Sequence, residues 1–97
     1  MRISVLSSGS KGNVTYLETE SKRFLLDAGR NYKYISDALN SIDVDIKSID
    51  YIIISHDHSD HISALKTLIS KTKATVILSE KQFYQIEDLS NYPHILV

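Results

Sequence analysis

The sequence predicts an α/β fold: a mixed β-sheet with helices packed on one face. Three observations lead there. Residues 2–27 alternate and turn like an antiparallel meander, and from Ile35 the apolar period switches to that of a helix. Continuous apolar runs at 51–55 and 75–78 then alternate with further helical stripes. Strands that alternate with helices in this way pack the helices against a sheet.

Residues 2–7 (Arg-Ile-Ser-Val-Leu-Ser) read as the first strand. The run Ser8-Gly9-Ser10-Lys11-Gly12-Asn13 is a turn, with glycines available for positive φ. Residues 14–18 form the returning strand, 20–22 a second turn, and 23–27 a third strand closed by Asp27-Ala28-Gly29. Ile35, Ala38, Leu39 and Ile42 fall at i, i+3, i+4 and i+7, the stripe of an amphipathic helix. Residues 43–50 are polar with single apolar residues, a loop containing one helical turn. The unbroken apolar run at 51–55 predicts a strand covered on both faces. Ile62, Leu65 and Ile69 return to helical spacing, and 75–78 is another buried strand. Ser79 followed by Gln82 resembles a capping box that opens a helix carrying Phe83, Ile86 and Leu89. After Pro93, residues 94–97 begin a last strand. The order is β-β-β-α-β-α-β-α-β.

At 97 residues the chain fits one domain at most, and 42% apolar with 24% charged residues is ordinary for a globular protein. There is no cysteine, so any metal must take nitrogen and oxygen ligands. The net charge of −1, with scattered Lys and Arg, gives nucleic-acid binding no support from composition. No apolar run reaches signal-peptide or membrane-spanning length, so the expectation is a cytoplasmic protein with no membrane partner.

The densest chemistry lies in His56-Asp57-His58-Ser59-Asp60-His61, directly after the apolar run. His56 and His58 are two apart, and in extended backbone both imidazoles point to one face and can reach one ion. Asp60 and His61 follow where the chain turns into the next helix, so one segment can feed two neighbouring ions. Three imidazoles and two carboxylates in six residues form a metal-ligation pattern rather than a solvated loop. Paired metals can clamp the attacking and leaving oxygens of a hydrolytic displacement.

This run matches the H-x-H-x-D-H signature of the metallo-β-lactamase-fold superfamily. The opening Leu6-Ser7-Ser8-Gly9-Ser10-Lys11-Gly12-Asn13 and the later Leu25-Leu26-Asp27-Ala28-Gly29 are also similar to the first hairpin and upstream aspartate motif of that family. The chain most resembles the small bacterial members that act as metal-dependent hydrolases or exonuclease-like phosphodiesterases. The resemblance implies that His56 and His58 bind a first metal, and that Asp60 and His61 bind a second. It makes Asp60 the group that orients the nucleophilic water or serves as general acid/base. It assigns Asp27 to bracing the ligand segment, and the same carboxylate could also satisfy turn amides before Gly29. The cofactors implied are two divalent ions, zinc or manganese, and the substrate an ester or phosphodiester, nucleic acid included.

Family members carry further ligands downstream, another histidine, a bridging aspartate and a last histidine, which have no match here. His94, within Asn91-Tyr92-Pro93-His94-Ile95, reads as a strand-edge or surface residue. Residues 1–97 are therefore expected to form a single partial domain, the N-terminal half of an αβ/βα sandwich, weak or inactive alone. The alternative is a catalytically incompetent interaction module that self-associates as a homodimer through its exposed sheet face. The Ser7–Asn13 turn is either a plain hairpin turn or a nest of amides facing an anionic substrate. Tyr32, Tyr34, Tyr51, Tyr84 and Tyr92 are expected to pack with their hydroxyls at the surface. Ser8 and Ser10 have no histidine near in sequence to activate them.

Overall fold

A computed structural model describes residues 1–9, 12–54, 62–78 and 95–96 (for 62–64 and 95–96 the backbone only). The strands are β1 (Arg2–Ser7), β2 (Val14–Glu18), β3 (Arg23–Leu26), β4 (Tyr51–Ile53), β5 (Thr75–Ile77) and β6 (Ile95–Leu96). The helices are α1 (Tyr32–Asn40) and α2 (Ile62–Lys71), with a 3-10 turn at Ile46–Ser48. The expected helix from Ser79 through Leu89 lies outside the described residues.

The six strands form one sheet in sequence order. β1, β2 and β3 pair antiparallel, as the short turns dictate, while β3, β4, β5 and β6 pair parallel. Parallel neighbours need a crossover, which α1 supplies between β3 and β4 and α2 between β4 and β5. Because β1 runs in the same direction as the parallel strands, Ser7, Leu26, Ile53 and Ile77 all end at one edge of the sheet. That carboxyl edge is where open α/β sheets bind ligands.

One sheet face carries the core. Val14, Tyr16, Leu25, Ile52 and Val76 pack with Ile35 and Leu39 of α1 and Leu65, Leu68 and Ile69 of α2. Ile35, Leu39, Ile52 and Leu68 are fully buried, and each such side chain contributes about 1.5–3 kcal/mol. α1 starts where the Asn31 side chain accepts from the Tyr34 amide at 2.7 Å, an N-cap that satisfies an otherwise orphaned donor. Thr72, the buried polar residue of the described set, donates to the Leu68 carbonyl at 2.6 Å.

Three expectations need correction. Among the described residues, helices pack on one face of β4 alone: Ile52 is buried, while Tyr51 and Ile53 on the other face are half-buried. Both crossover helices pack on the Ile52 side, and a continuous apolar run does not reveal whether anything covers the other face. Strand β3 ends at Leu26 rather than Asp27, because Asp27 turns to φ 65°. Ile42 lies beyond α1, packed half-buried against the core from the turn that follows Asn40. The helical turn expected within 43–50 is the 3-10 turn at Ile46–Ser48.

Candidate active site at the carboxyl edge of the sheet

β4 ends at Ile53, and the histidine run begins three residues later, so the strand leads towards it at the carboxyl edge. His56, His58, Asp60 and His61 themselves lie outside the described residues, as does His94. Among the described residues, no group of three His, Cys, Asp or Glu side chains could hold a metal ion. Without cysteine, the donors available to a metal are imidazole nitrogens and carboxylate oxygens. That set fits borderline and hard divalent ions and excludes thiolate sites.

Asp27 is the predicted site residue that the structure does describe. Its amide donates to the Ile53 carbonyl at 2.7 Å, extending the β3–β4 ladder by one rung past the end of β3. The backbone then turns left-handed at φ 65°, a conformation that aspartate tolerates better than most residues. Asp27 thus stands at the carboxyl edge beside the strand that runs towards His56. Strained backbone of this kind is stored where surrounding contacts hold it.

Those contacts come from the β1–β2 turn. Gly29 donates to the Asn13 carbonyl at 3.0 Å. Gly12, at φ +122°, lies so close that a Cβ there would sit 2.0 Å from the Gly29 carbonyl oxygen. A Cβ on Gly29 would in turn come within 2.6 Å of the Asn13 nitrogen. The two loops therefore cross backbone to backbone, which requires glycine on both sides. Within the turn, Gly12 donates to the Gly9 carbonyl at 3.2 Å, and Gly9 donates to Asn13 Oδ1 at 3.2 Å. The amides of Gly9 and Gly12 are thus used internally, so these two do not face a substrate. For the described residues, the turn is a structural brace on the Asp27–Gly29 loop.

A side-chain group at the same edge was not foreseen. Tyr34 donates its hydroxyl to the Leu6 carbonyl at 3.0 Å in a half-buried bond. Its ring lies 3.7 Å from the Arg30 guanidinium carbon. Arg30 Nη1 donates to Ser7 Oγ at 3.3 Å, and Ser7 Oγ donates to the Gly12 carbonyl at 2.8 Å. Arg30 precedes the Asn31 cap of α1, so no helical spacing in the sequence signals its contact with Tyr34.

At the opposite edge, a polar cleft of about 380 Å³ is lined by Glu18, Thr19, Lys22, Arg23, Ser48 and Asp50, among others. Arg23 fills much of its chemistry, donating to Ser48 Oγ at 2.7 Å and, through its amide, to Asp50 Oδ2 at 2.9 Å. The cleft is remote from the carboxyl edge and plays no part in the site.

Residues 8–93 match the sequence profile of the metallo-beta-lactamase superfamily. Among curated proteins, the chain is similar to Exodeoxyribonuclease WalJ of Streptococcus pneumoniae, with 39% identity over 87 residues covering 90% of this chain and 32% of that protein. It is similar also to Exodeoxyribonuclease YycJ of Bacillus anthracis, with 36% identity over 89 residues covering 92% of this chain and 34% of that protein. The chain spans about a third of the length of these relatives. Among solved structures, it resembles a chemotaxis sensor, ODP, described with a peroxy diiron species. That match has a TM-score of 0.76 at 21% identity, covering 97% of this chain and 39% of the other. It also resembles the metallo-beta-lactamase SMB-1, with a TM-score of 0.69 at 17% identity, covering 88% of this chain and 39% of the other. At such identities the likeness shows the fold alone: the α/β metallo-beta-lactamase architecture, of which this chain forms an N-terminal portion.

Proposed function

The chain belongs to the metallo-beta-lactamase superfamily, and from that premise we propose that it carries the first ligands of a metal-dependent hydrolase acting on phosphodiester bonds of DNA. The observation that carries the reading is the ladder bond from the Asp27 amide to the Ile53 carbonyl at 2.7 Å. It joins the upstream aspartate motif to the strand that leads into the H-x-H-x-D-H run, at the edge where such sheets bind ligands. The exodeoxyribonuclease names of two similar proteins support the choice of DNA.

On this reading, His56 and His58 hold one divalent ion, while Asp60 and His61 hold a second. Zinc suits the imidazoles, and manganese the carboxylates. When bound, such ions supply Lewis acidity to the scissile phosphate and lower the pKa of water. Asp60 orients the attacking water, and Asp27 steadies the ligand segment through its own backbone ladder and the glycine crossing beneath it. Residues 1–97 form the N-terminal half of the catalytic domain, in the cytoplasm.

The test is hydrolysis of bis(p-nitrophenyl) phosphate by the chain with added zinc or manganese. Slow turnover, abolished by EDTA and by Asp60→Asn, is expected. Turnover that is equal in the wild type and Asp60→Asn overturns the assignment.

A second reading rests on the sheet face away from the helices. Strand register puts Ile3, Val5, Leu17, Phe24, Leu26, Tyr51, Ile53 and Ile77 on that face, with Ile3 61% and Val5 66% exposed. Exposed Ile3 and Val5 beside half-buried apolar neighbours favour an interaction site. For the chain by itself, the occupant proposed is a second copy. Light scattering should give a concentration-dependent mass that Val5→Lys returns to monomer; a monomer at high concentration rejects this reading.

A further inference from the structure

We propose that Arg30 is a substrate-binding residue that grips a backbone phosphate of a DNA strand laid across the carboxyl edge of the sheet. The inference rests on the phosphodiester reading above and adds a residue which that reading does not use. Arg30 follows Gly29 directly, three residues after Asp27, at the edge towards which β4 leads. Its half-buried guanidinium is held in place by the Tyr34 ring at 3.7 Å and by the Ser7 hydroxyl at 3.3 Å. Tyr34 is in turn fixed by its bond to the Leu6 carbonyl, and Ser7 by its bond to the Gly12 carbonyl. Four residues from three segments thus orient one cation.

That arrangement is more than a core arginine needs. No carboxylate among the described residues pairs with Arg30; the described ion pair, Arg23 to Glu18 at 3.7 Å, sits at the opposite edge. The Ser7 contact uses one of the donors of a group that carries five in a planar fork. A fork whose described partners leave donors over, already stacked on an aromatic ring, loses little freedom on meeting a phosphate. The surroundings favour an anion. α1 begins at the next turn with no acidic residue in its first turn, so the positive end of its dipole lies on the same side. Lys33 is exposed on that turn. With a net charge of −1, the chain as a whole does not attract DNA, so the attraction must be local.

The experiment is fluorescence anisotropy of a fluorescein-labelled oligothymidylate titrated with the chain in EDTA, so that no cleavage occurs and no metal is needed. Wild type, Arg30→Gln, Tyr34→Leu and the charge control Lys47→Gln, in the 3-10 turn at the opposite edge of the sheet, are compared across salt concentrations. Arg30→Gln should bind roughly ten-fold more weakly at low salt, as expected for loss of a charge-assisted bond. Its slope of log K against log salt should fall by about 0.7, the value for one single-strand phosphate contact. Tyr34→Leu keeps the charge and should lose roughly three-fold in affinity with an unchanged slope, since only the preorganisation is gone. If Arg30→Gln does not fold, as judged by circular dichroism, the Tyr34→Leu result decides. Binding and slope equal to wild type in Arg30→Gln, an equal loss in Lys47→Gln, no loss in Tyr34→Leu, or no wild-type binding at all overturns the proposal. Because metal is absent, these outcomes are independent of the Asp60→Asn hydrolysis test, and the two ideas fail separately.

Discussion

Replacing Gly12 with alanine tests the loop crossing that supports the Asp27 edge. Gly12 and Gly9 both hold positive φ, +122° and +99°, yet a Cβ on Gly9 meets nothing within 4 Å, while one on Gly12 falls 2.0 Å from the Gly29 carbonyl oxygen. The two substitutions therefore share backbone strain and differ in packing. The strain alone costs about 1–3 kcal/mol. Forcing the loops apart adds roughly 1–3 kcal/mol, the usual range for overpacking. Gly12→Ala should thus lose about 2–6 kcal/mol from a domain whose total stability is on the order of 5–15 kcal/mol. Urea denaturation followed by circular dichroism measures both variants against wild type. With a slope of about 1–2 kcal/mol per molar, the midpoint of Gly12→Ala should fall below that of Gly9→Ala by roughly 1 M. Equal midpoints for the two variants would refute the backbone crossing. The same displacement should weaken whatever the Asp27–Gly29 loop steadies, so Gly12→Ala should also reduce metal retention.

Two further perturbations probe the core. Tyr16 is fully buried with its hydroxyl donating to Glu18 Oε1 at 2.5 Å, and burial, with help from that bond, pushes its pKa up to about 12. The neutral phenol is therefore the form favoured in the fold: its contribution is complete below the unfolded tyrosine pKa of about 10 and is lost as pH rises towards 12. Stability measured from pH 9 upward should fall through that window (roughly 10 to 12) and do so less steeply in Tyr16→Phe, which itself costs about 1 kcal/mol at neutral pH. The bond from Tyr16 holds the Glu18 carboxyl below its ordinary pKa. The stability linked to Glu18 is accordingly present above the usual glutamate range and lost as pH falls through its lowered folded value. Ile52→Ala, at a fully buried position in the central strand, should cost about 2–5 kcal/mol in the same denaturation assay; a loss under about 1 kcal/mol would contradict the packing described.

Much of this architecture was legible because local signals and tertiary packing agree. Alternation in 14–18 and the apolar spacing of Ile35 and Leu39 report directly which side chains face the core, and the structure buries Val14, Tyr16, Ile35 and Leu39 together. Legibility failed where the deciding partner is distant. The run at 51–55 looks the same whether one face or two are covered, and only the placement of both helices on the Ile52 side separates the cases. Aspartate suits both a strand end and a left-handed turn, so residue 27 gave no hint of its φ. Gly12 and Gly29 carry turn signals separately, but their contact joins residues far apart in the chain. The Arg30–Tyr34 stack was hidden for a different reason: Arg30 lies before the helix cap, and its placement depends on Ser7 and Leu6 arriving from β1. The histidine run carries the strongest signal in the sequence, because its chemistry is local to six residues, and those residues lie outside the described ones.

That run is also where the account is most exposed. Metal content per chain, measured by elemental analysis after loading with zinc or manganese and dialysis, should show bound metal in wild type, weakly held and below two ions per chain, and none in His58→Ala. Equal and tight metal content in both proteins would contradict the assignment of residues 56–61 as ligands.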